Sequence, residues 1–177
     1  MSGIVGDNTA RASGVIASAG GGGKCLQSLE YSTTATISRN SSTWGQYGSI
    51  EQAITPIAAS SKIKLTCSTG MSETQNKGFL RFYYDVDGGG YNVCDPVGAA
   101  AGSRINCHFF IDEDRNSICN TILHTPTYTL TDVLTYQVWS WCGHSSYPIY
   151  FGRSVTDSST NDYGRTQTTF RVEEIGA

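Results

Sequence analysis

The strongest constraint on the fold is an alternation with a period of two residues, which runs through most of the chain from Leu26 onward. Short runs rich in Thr, Val, Ile, Phe and Tyr are separated by Gly, Asn, Asp, Ser and Pro, which is typical of half-buried strands joined by turns. Apart from one turn at SIEQAI, no stretch has a helical period. The runs are LQSLEYS, TTATIS, KIKLTCS, FLRFYYDV, RINCHFFID, SICNTILH, VLTYQVWSW, PIYFG and TQTTFRVEEI. They predict an all-β fold, an antiparallel jelly-roll-like β-sandwich over residues 26–177.

The run VLTYQVWSW also assigns its side chains to faces. Leu134, Tyr136 and Val138 share one face, whereas Gln137, Trp139 and Trp141 lie on the other. Two indole rings on one face present a large apolar area. We therefore expect either the partner sheet or a neighbouring subunit to cover them.

The segment DVDGGGYN predicts a hairpin turn, since its three glycines accept the positive φ angles of a tight reversal. Asp85 and Asp87 resemble the start of a calcium loop, but Gly88–Gly90 occupy the places where further oxygen ligands would be needed. The acidic residues 112–114 are expected at the tip of another hairpin. Neither segment predicts a metal site.

The first 25 residues predict an extended Gly-rich arm. They contain only scattered apolar side chains and the four consecutive glycines Gly20–Gly23, which form a flexible joint. The apolar stretches are too short for a secretory signal or a membrane-spanning helix. Because such an arm cannot build its own core, we expect it to pair along a neighbouring surface through Ile4, Val5, Arg11, Val15 and Ile16.

Composition excludes several partners. Only 15% of the residues are charged, against about 25% in an average protein, and the net charge is −3. Lys and Arg form no cluster, so a surface for nucleic-acid phosphates is not expected. We also expect no membrane partner.

The six cysteines suit either three disulfides of a secreted domain or free thiols. Without a secretion signal, free thiols are the expectation. Cys67 lies in phase with Ile63 and Leu65, and Cys107 lies in phase with Phe109, so both are predicted to be small buried hydrophobic residues.

No pattern of catalytic residues is present in the sequence. There is no Gly-x-Ser-x-Gly motif, and a single close pair such as Cys142 with His144 cannot fill a zinc tetrahedron. The histidines are expected to be exposed or bonded structurally. We therefore expect no enzyme, no catalytic residue, no cofactor and no metal.

Aromatic residues are the best candidates for a binding surface. Rings near loops can stack on sugars while neighbouring Asn, Ser and Gln bond the sugar hydroxyls, but the same residues are favoured at subunit interfaces. Both interpretations stay open at this point. The candidates in or beside loops are Trp44, Tyr47, Tyr91, Tyr147, Tyr150 and Tyr163, and the candidates for a subunit interface or glycan contact are Trp44, Tyr47, Trp139, Trp141 and Tyr147.

Three stretches carry a resemblance to a known group of proteins: SSTWGQYGSIEQAITPIAASSKIKL, TPTYTLTDVLTYQVWSW and the terminal TQTTFRVEEIGA. Over residues 42–177 the chain resembles small virion proteins and fibre-end domains of tailed phages, especially those of cyanobacteria and marine bacteria. MSGIVGDNTARASGVIA is also similar to the beginnings of small structural proteins in these phages.

The resemblance implies a β-sandwich, usually trimeric, on the outside of the phage particle, with no catalytic residues. We therefore expect a capsid decoration (cement) protein, assembled in the host cytoplasm, that forms homotrimers on the head. Its N-terminal arm would clamp neighbouring major capsid proteins. The alternative is a tail or head fibre module that binds host surface glycans, although the chain has no heptads or repeat that would form a shaft.

Overall fold

The computed structural model describes residues 23–73, 77–111, 115–144, 146–159 and 164–177, and these ranges contain strands but no helix. The predicted contacts of the N-terminal arm, Ile4, Val5, Arg11, Val15 and Ile16, lie outside the described residues. In chain order the strands are β1 (Cys25–Thr33), β2 (Ile37–Arg39), β3 (Gly45–Ile54), β4 (Lys62–Glu73), β5 (Gly78–Val86), β6 (Asn92–Val93), β7 (Phe109–Ile111), β8 (Arg115–His124), β9 (Leu134–Cys142), β10 (Ile149–Phe151) and β11 (Thr168–Ile175).

The strands form two antiparallel sheets. In the first sheet the order is β1-β11-β4-β10-β2, and β8 pairs with β4. In the second sheet the order is β3-β9-β5-β6, and β7 also pairs with β5. The two sheets pack together, which confirms the predicted all-β sandwich.

The core lies between the sheets because each long strand turns alternate side chains inward. On β4 the residues Ile63, Leu65 and Cys67 are fully buried, while the residues between them are partly exposed. The second sheet contributes Leu80, Phe82, Leu134, Tyr136 and Val138 in the same way, and the first adds Phe170 and Val172. Each large apolar side chain buried in this way stabilises the fold by about 1.5–3 kcal/mol.

Each of the nine runs predicted from the alternation contains a strand, but β3 and β6 were not among the predictions. The expected helical turn at SIEQAI is wrong, since these residues belong to β3. The pairing of β3 with β9 shifts register between Gln46 and Glu51, and Gly48 within this bulge has φ 58°. The bulge lets Tyr47 and Ile50 both point into the core, so the buried residues of β3 do not alternate.

The predicted hairpin at DVDGGGYN joins β5 to β6. Gly88 and Gly90 have φ angles of 78° and 110°. The Asp85 carboxylate accepts hydrogen bonds from the backbone N–H groups of both glycines, and the Asp87 carboxylate accepts one from Val133 at 2.8 Å. The Asp85 carboxylate therefore holds the turn itself, and the Asp87 carboxylate holds the turn against the segment that contains Val133.

The structure pairs none of the six cysteines in a disulfide. Cys67 is buried in the core as predicted, and burial raises the pKa of its thiol to about 12. The prediction for Cys107 is wrong: this residue is only half-buried, because its segment is a loop and β7 begins two residues later. Cys25 and Cys119 are exposed.

Candidate functional site

The outer face of the second sheet is the surface with the most distinctive chemistry among the described residues. We call it the aromatic face. Strands β3, β5, β7 and β9 and the segments beside them supply its rings. Its members are Trp44, Phe79, Tyr83, Tyr91, Phe110, Trp139 and Trp141.

The register between β5 and β9 places these rings side by side. Phe79 lies opposite Trp141, and Arg81 lies opposite Trp139. On the other side of β5, Phe79 is also opposite Phe110 of β7. Because side chains alternate between the faces of a strand, the rings lie outside while Leu80 and its neighbours fill the core.

Trp139 is covered by other rings of its own face. Its indole stacks on Tyr83, with centroids 4.1 Å apart and an interplanar angle of 22°. The ring of Tyr91 approaches the same indole at 5.9 Å. Rings from β5 and the segment before β6, and not the partner sheet, therefore cover part of this indole, while its cover by a neighbouring subunit stays a prediction.

One end of the aromatic face is apolar and open. Phe79 contacts Trp141 edge to face at 5.2 Å and lies parallel to Phe110 at 6.2 Å. Phe110 is 58% exposed, and Trp141 and Phe79 are half-buried. We call these three residues the apolar edge. Phenylalanine rings have no polar group to bond water, so the apolar edge gains free energy whenever another surface covers it.

The other end of the aromatic face carries a polar cluster. The Gln137 amide donates to the Glu51 carboxylate and, at 2.6 Å, to the Tyr91 hydroxyl. Its carbonyl oxygen accepts from Trp139 Nε1 at 2.7 Å. The Tyr91 hydroxyl donates to Glu51 at 3.1 Å. Burial, together with the Glu51 charge, raises the pKa of Tyr91 to about 12, so this hydroxyl stays protonated as a donor.

Arg81 connects the aromatic face to the loop before β7. Its side chain donates to the backbone oxygen and to the side-chain oxygen of Asn106. Its guanidinium also lies over the Trp44 ring, 4.2 Å from the ring centroid. A cation over an indole is attracted by the ring quadrupole, so Arg81 fixes Trp44 in place.

The structure brings together three of the five predicted contact residues, Trp44, Trp139 and Trp141. The prediction for Tyr47 is wrong: it is fully buried on the inner face of β3, with its ring 3.8 Å from that of Phe151. Tyr147 is exposed in the loop after β9, where it contacts His144. It is therefore not among the stacked rings of the aromatic face.

Sequence reasoning missed the contribution of β5 and β7. Phe79, Tyr83 and Phe110 complete the aromatic face. The signal was present in FLRFYYDV, because alternation separates Phe79, Arg81 and Tyr83 from the core residues of the same strand.

Two of the histidines are bonded inside the sandwich. His108 Nδ1 accepts a hydrogen bond from the Phe82 N–H at 3.0 Å, and its Nε2 lies 3.0 Å from the Cys94 carbonyl oxygen. A neutral ring with its proton on Nε2 satisfies both contacts. Burial lowers the pKa of His108 to about 4, as it does for His124. These contacts agree with the expected structural roles.

Within the described ranges, no group of three or more His, Cys, Asp or Glu side chains is arranged to hold a metal ion. The same ranges contain no helix that is long and apolar enough to cross a membrane. The chemistry of the aromatic face is that of contact: ring stacking, apolar burial and a few oriented hydrogen bonds.

No protein-family model matches the chain, and no curated protein matches it in sequence.

Proposed function

We propose that this chain is a virion structural protein of a tailed phage, a capsid decoration protein that forms homotrimers on the outside of the head. The observation that carries the proposal is the apolar edge, where Phe110 is exposed to solvent beside the half-buried rings of Phe79 and Trp141. Aromatic residues and Arg are enriched at protein interfaces, and buried aromatic anchors dominate their binding energy. The aromatic face is thus suited to contact a second copy of the chain.

Ring packing favours a protein contact over a sugar platform. A sugar stacks on an open ring face. On the aromatic face, Tyr83 covers Trp139, and Arg81 covers Trp44. The apolar edge consists of the exposed Phe110 and the half-buried Phe79 and Trp141, whose rings gain most from apolar burial.

Strand order supports the jelly-roll part of the proposal. The first sheet contains the order β1-β11-β4-β8, and the second contains the order β3-β9-β5-β7. In both orders, strands from the first half of the chain alternate with strands from the second half. We therefore infer a jelly roll. A double-sheet jelly roll built from Greek keys alternates early and late strands in this manner, and it is used in viral capsid and lectin domains.

The N-terminal arm completes the proposal. Ile4, Val5, Arg11, Val15 and Ile16 would contact major capsid proteins, and the aromatic face would hold the trimer together. Repeating modest contacts three times in a trimer gives tight attachment without a deep pocket. This division of roles needs no cofactor and no catalytic residue.

Solution mass tests the trimer. Light scattering after size exclusion should give three times the chain mass of 19.0 kDa. Phe110→Ser should shift the trimer toward monomer, because it removes an apolar ring from the proposed interface. The variant should still fold, because Phe110 is 58% exposed. Leu123→Ser is the matched control: Leu123 is 44% exposed on β8 of the other sheet, and this variant should stay trimeric. A monomeric parent, or a trimeric Phe110→Ser variant, would contradict the proposal.

The second candidate function is a tail or head fibre module that binds host surface glycans. The polar cluster favours it, because the Glu51 carboxylate and the Tyr91 hydroxyl lie beside the Trp139 indole on one face. Polar groups next to an aromatic ring are the usual elements of a sugar site. Saturable binding of the isolated protein to host cells, lost in Glu51→Gln but kept in Phe110→Ser, would favour this function.

A further inference from the structure

A groove of about 210 Å³ lies on the outer face of the first sheet, on the side of the sandwich opposite the aromatic face. Gly70, Ser72 and Ser117 line it from the paired strands β4 and β8, on the face opposite to the buried side chain of Met71. The segment after β10 and the segment before β11 form its other side. They contribute Arg153, Ser154, Gly164 and Thr166. We call this the arginine groove.

Hydrogen bonds hold the walls of the arginine groove in place. The Gly152 N–H donates to the Gly70 carbonyl at 2.8 Å, and the Thr166 N–H donates to the Gly152 carbonyl at 2.9 Å. The Ser72 hydroxyl donates to the Arg153 carbonyl at 2.9 Å. Both segments are thus bonded to β4 or to each other. Walls that are already fixed lose little entropy when a ligand binds.

Arg153 supplies the positive charge of the groove. Its guanidinium carbon lies 4.2 Å from the centroid of the Tyr150 ring, whose face attracts the cation. Its Nη1 donates to the carbonyl oxygens of Ser154 at 3.3 Å and Val155 at 3.1 Å. These contacts orient the guanidinium and leave the edge that carries Nε and Nη2. The two parallel N–H groups of such an edge match the two oxygens of a carboxylate.

Two other arginines of this chain use the same edge to bind a carboxylate. Arg165 donates through Nε and Nη2 to Asp157, at 3.2 and 2.8 Å. Arg171 donates through Nε and Nη2 to Glu30, at 3.1 and 2.7 Å. Among the described residues, no carboxylate forms such a pair with Arg153, and none lines the groove. The Nε and Nη2 edge of Arg153 is therefore suited to the oxyanion of a ligand.

Hydroxyl groups lie beside this charge. Ser117 is exposed, and its hydroxyl forms no hydrogen bond with any described residue. The Thr166 hydroxyl oxygen accepts from the Gly70 N–H at 3.1 Å, so its own proton remains to be donated. Such groups can bond the hydroxyls of a sugar. The groove is smaller than the roughly 300–1,000 Å³ of sites for drug-sized ligands, which suits a ligand of a single ring.

We propose that the arginine groove binds an acidic sugar, with the sugar carboxylate on the Nε and Nη2 edge of Arg153 and sugar hydroxyls on Ser117 and Thr166. This binding activity belongs to the first sheet and goes beyond the proposed decoration function, which rests on the second sheet. The carboxylate gives the specificity, because an uncharged sugar leaves the guanidinium edge without its acceptor.

Titration of the full-length protein with glucuronate, glucose and acetate tests the proposal. Calorimetry at low salt should show that glucuronate binds at least about tenfold more tightly than glucose, which has no carboxylate. Glucuronate should also bind more tightly than acetate, which has no ring hydroxyls. Equal binding of glucuronate and either of the other two probes would overturn the assignment of an acidic sugar.

Arginine variants locate the binding. Arg153→Gln should weaken glucuronate binding by about tenfold or more. Arg171→Gln is the matched control, because Arg171 lies on the outer face of the same sheet but is paired with Glu30 at 2.7 Å. This control should bind glucuronate as the parent does. Equal affinities of the parent and Arg153→Gln would overturn the role of the arginine groove.

A second variant blocks the groove and leaves Arg153 in place. A Cβ at residue 164 would have no atom within 4 Å, so Gly164→Leu should fold with the urea midpoint of the parent. Its side chain should fill the groove and weaken glucuronate binding by about tenfold or more, and unchanged binding would contradict the proposal. Failure of these tests leaves the decoration function intact, since the trimer mass and the Phe110→Ser variant test that function separately.

Discussion

Mild acid should destabilise the fold through His124. This residue is 3% exposed, its Nδ1 lies 3.2 Å from the Tyr136 hydroxyl oxygen, and its ring is 4.4 Å from that of Tyr84. Burial lowers the pKa of His124 to about 4. An unfolded histidine has a pKa of about 6.5. Between these two values the unfolded chain binds more protons, so the free energy of unfolding falls as the pH falls.

The magnitude follows from the two pKa values. At pH 5 the unfolded histidine is almost fully protonated and the folded one is mostly neutral, which costs about 2 kcal/mol relative to pH 7.5. His108 changes in the same direction and adds to the loss. Carboxyl groups remain largely ionised in both states above pH 5, so this pH range reports mainly on the histidines.

Urea unfolding followed by tryptophan fluorescence measures the effect. The parent should lose at least about 2 kcal/mol between pH 7.5 and pH 5, and His124→Gln should lose about 2 kcal/mol less than the parent over the same range. NMR titration of the His124 ring in the folded protein should show a neutral imidazole at pH 5. A parent stability that is constant to about 0.5 kcal/mol, or an equal loss in His124→Gln, would refute the reasoning.

Three further predictions concern buried groups and backbone conformation. Burial opposes ionisation of Glu174, but hydrogen bonds from Ile57, Ala58 and Gln27 outweigh it and lower the pKa of this carboxyl. Glu174→Gln should therefore lower the free energy of unfolding in urea by about 1.5–3 kcal/mol. Glu173→Gln on the outer face should cost at most about 1 kcal/mol, and equal losses would contradict the role of Glu174. Gly152 and Gly102 both have a positive φ, so alanine is strained at either position. Gly152→Ala should destabilise the fold more than Gly102→Ala, because a Cβ at residue 152 would lie 3.2 Å from the Ala35 carbonyl oxygen, whereas a Cβ at residue 102 would meet open space. Alkylation without reductant should label all six cysteines in denaturant. In the native protein it should spare the three buried cysteines, Cys67, Cys94 and Cys142. Fewer than six labels in denaturant would show that some of the cysteines form disulfides.

Regular strands were predictable because alternation is read directly from the residues. On β5 and β9 the core residues recur at every second position, as the sequence predicts, although stacking on the outer face also buries Arg81, Tyr83 and Gln137. Strand β3 was not predictable in this way. Its buried residues Tyr47, Ile50 and Ile54 are spaced by three and four, the spacing of a helix, and only the bulge at Gly48 makes this spacing fit a strand.

The aromatic face was half predictable. Trp139 and Trp141 were assigned correctly to the face opposite Leu134, Tyr136 and Val138, but which residues cover them depends on which strand pairs with β9. Long-range pairing placed Phe79 beside Trp141 and brought Tyr91 over from the segment before β6. A single sequence does not specify such pairing, because several strands with the same alternation fit the same edge.

Counting copies of the chain in purified phage particles tests the central claim most directly. Quantitative mass spectrometry against the major capsid protein should find hundreds of copies per particle, as a protein that decorates the head lattice requires. A handful or a few dozen copies would identify a fibre module instead, and absence from the particle would contradict a virion role altogether.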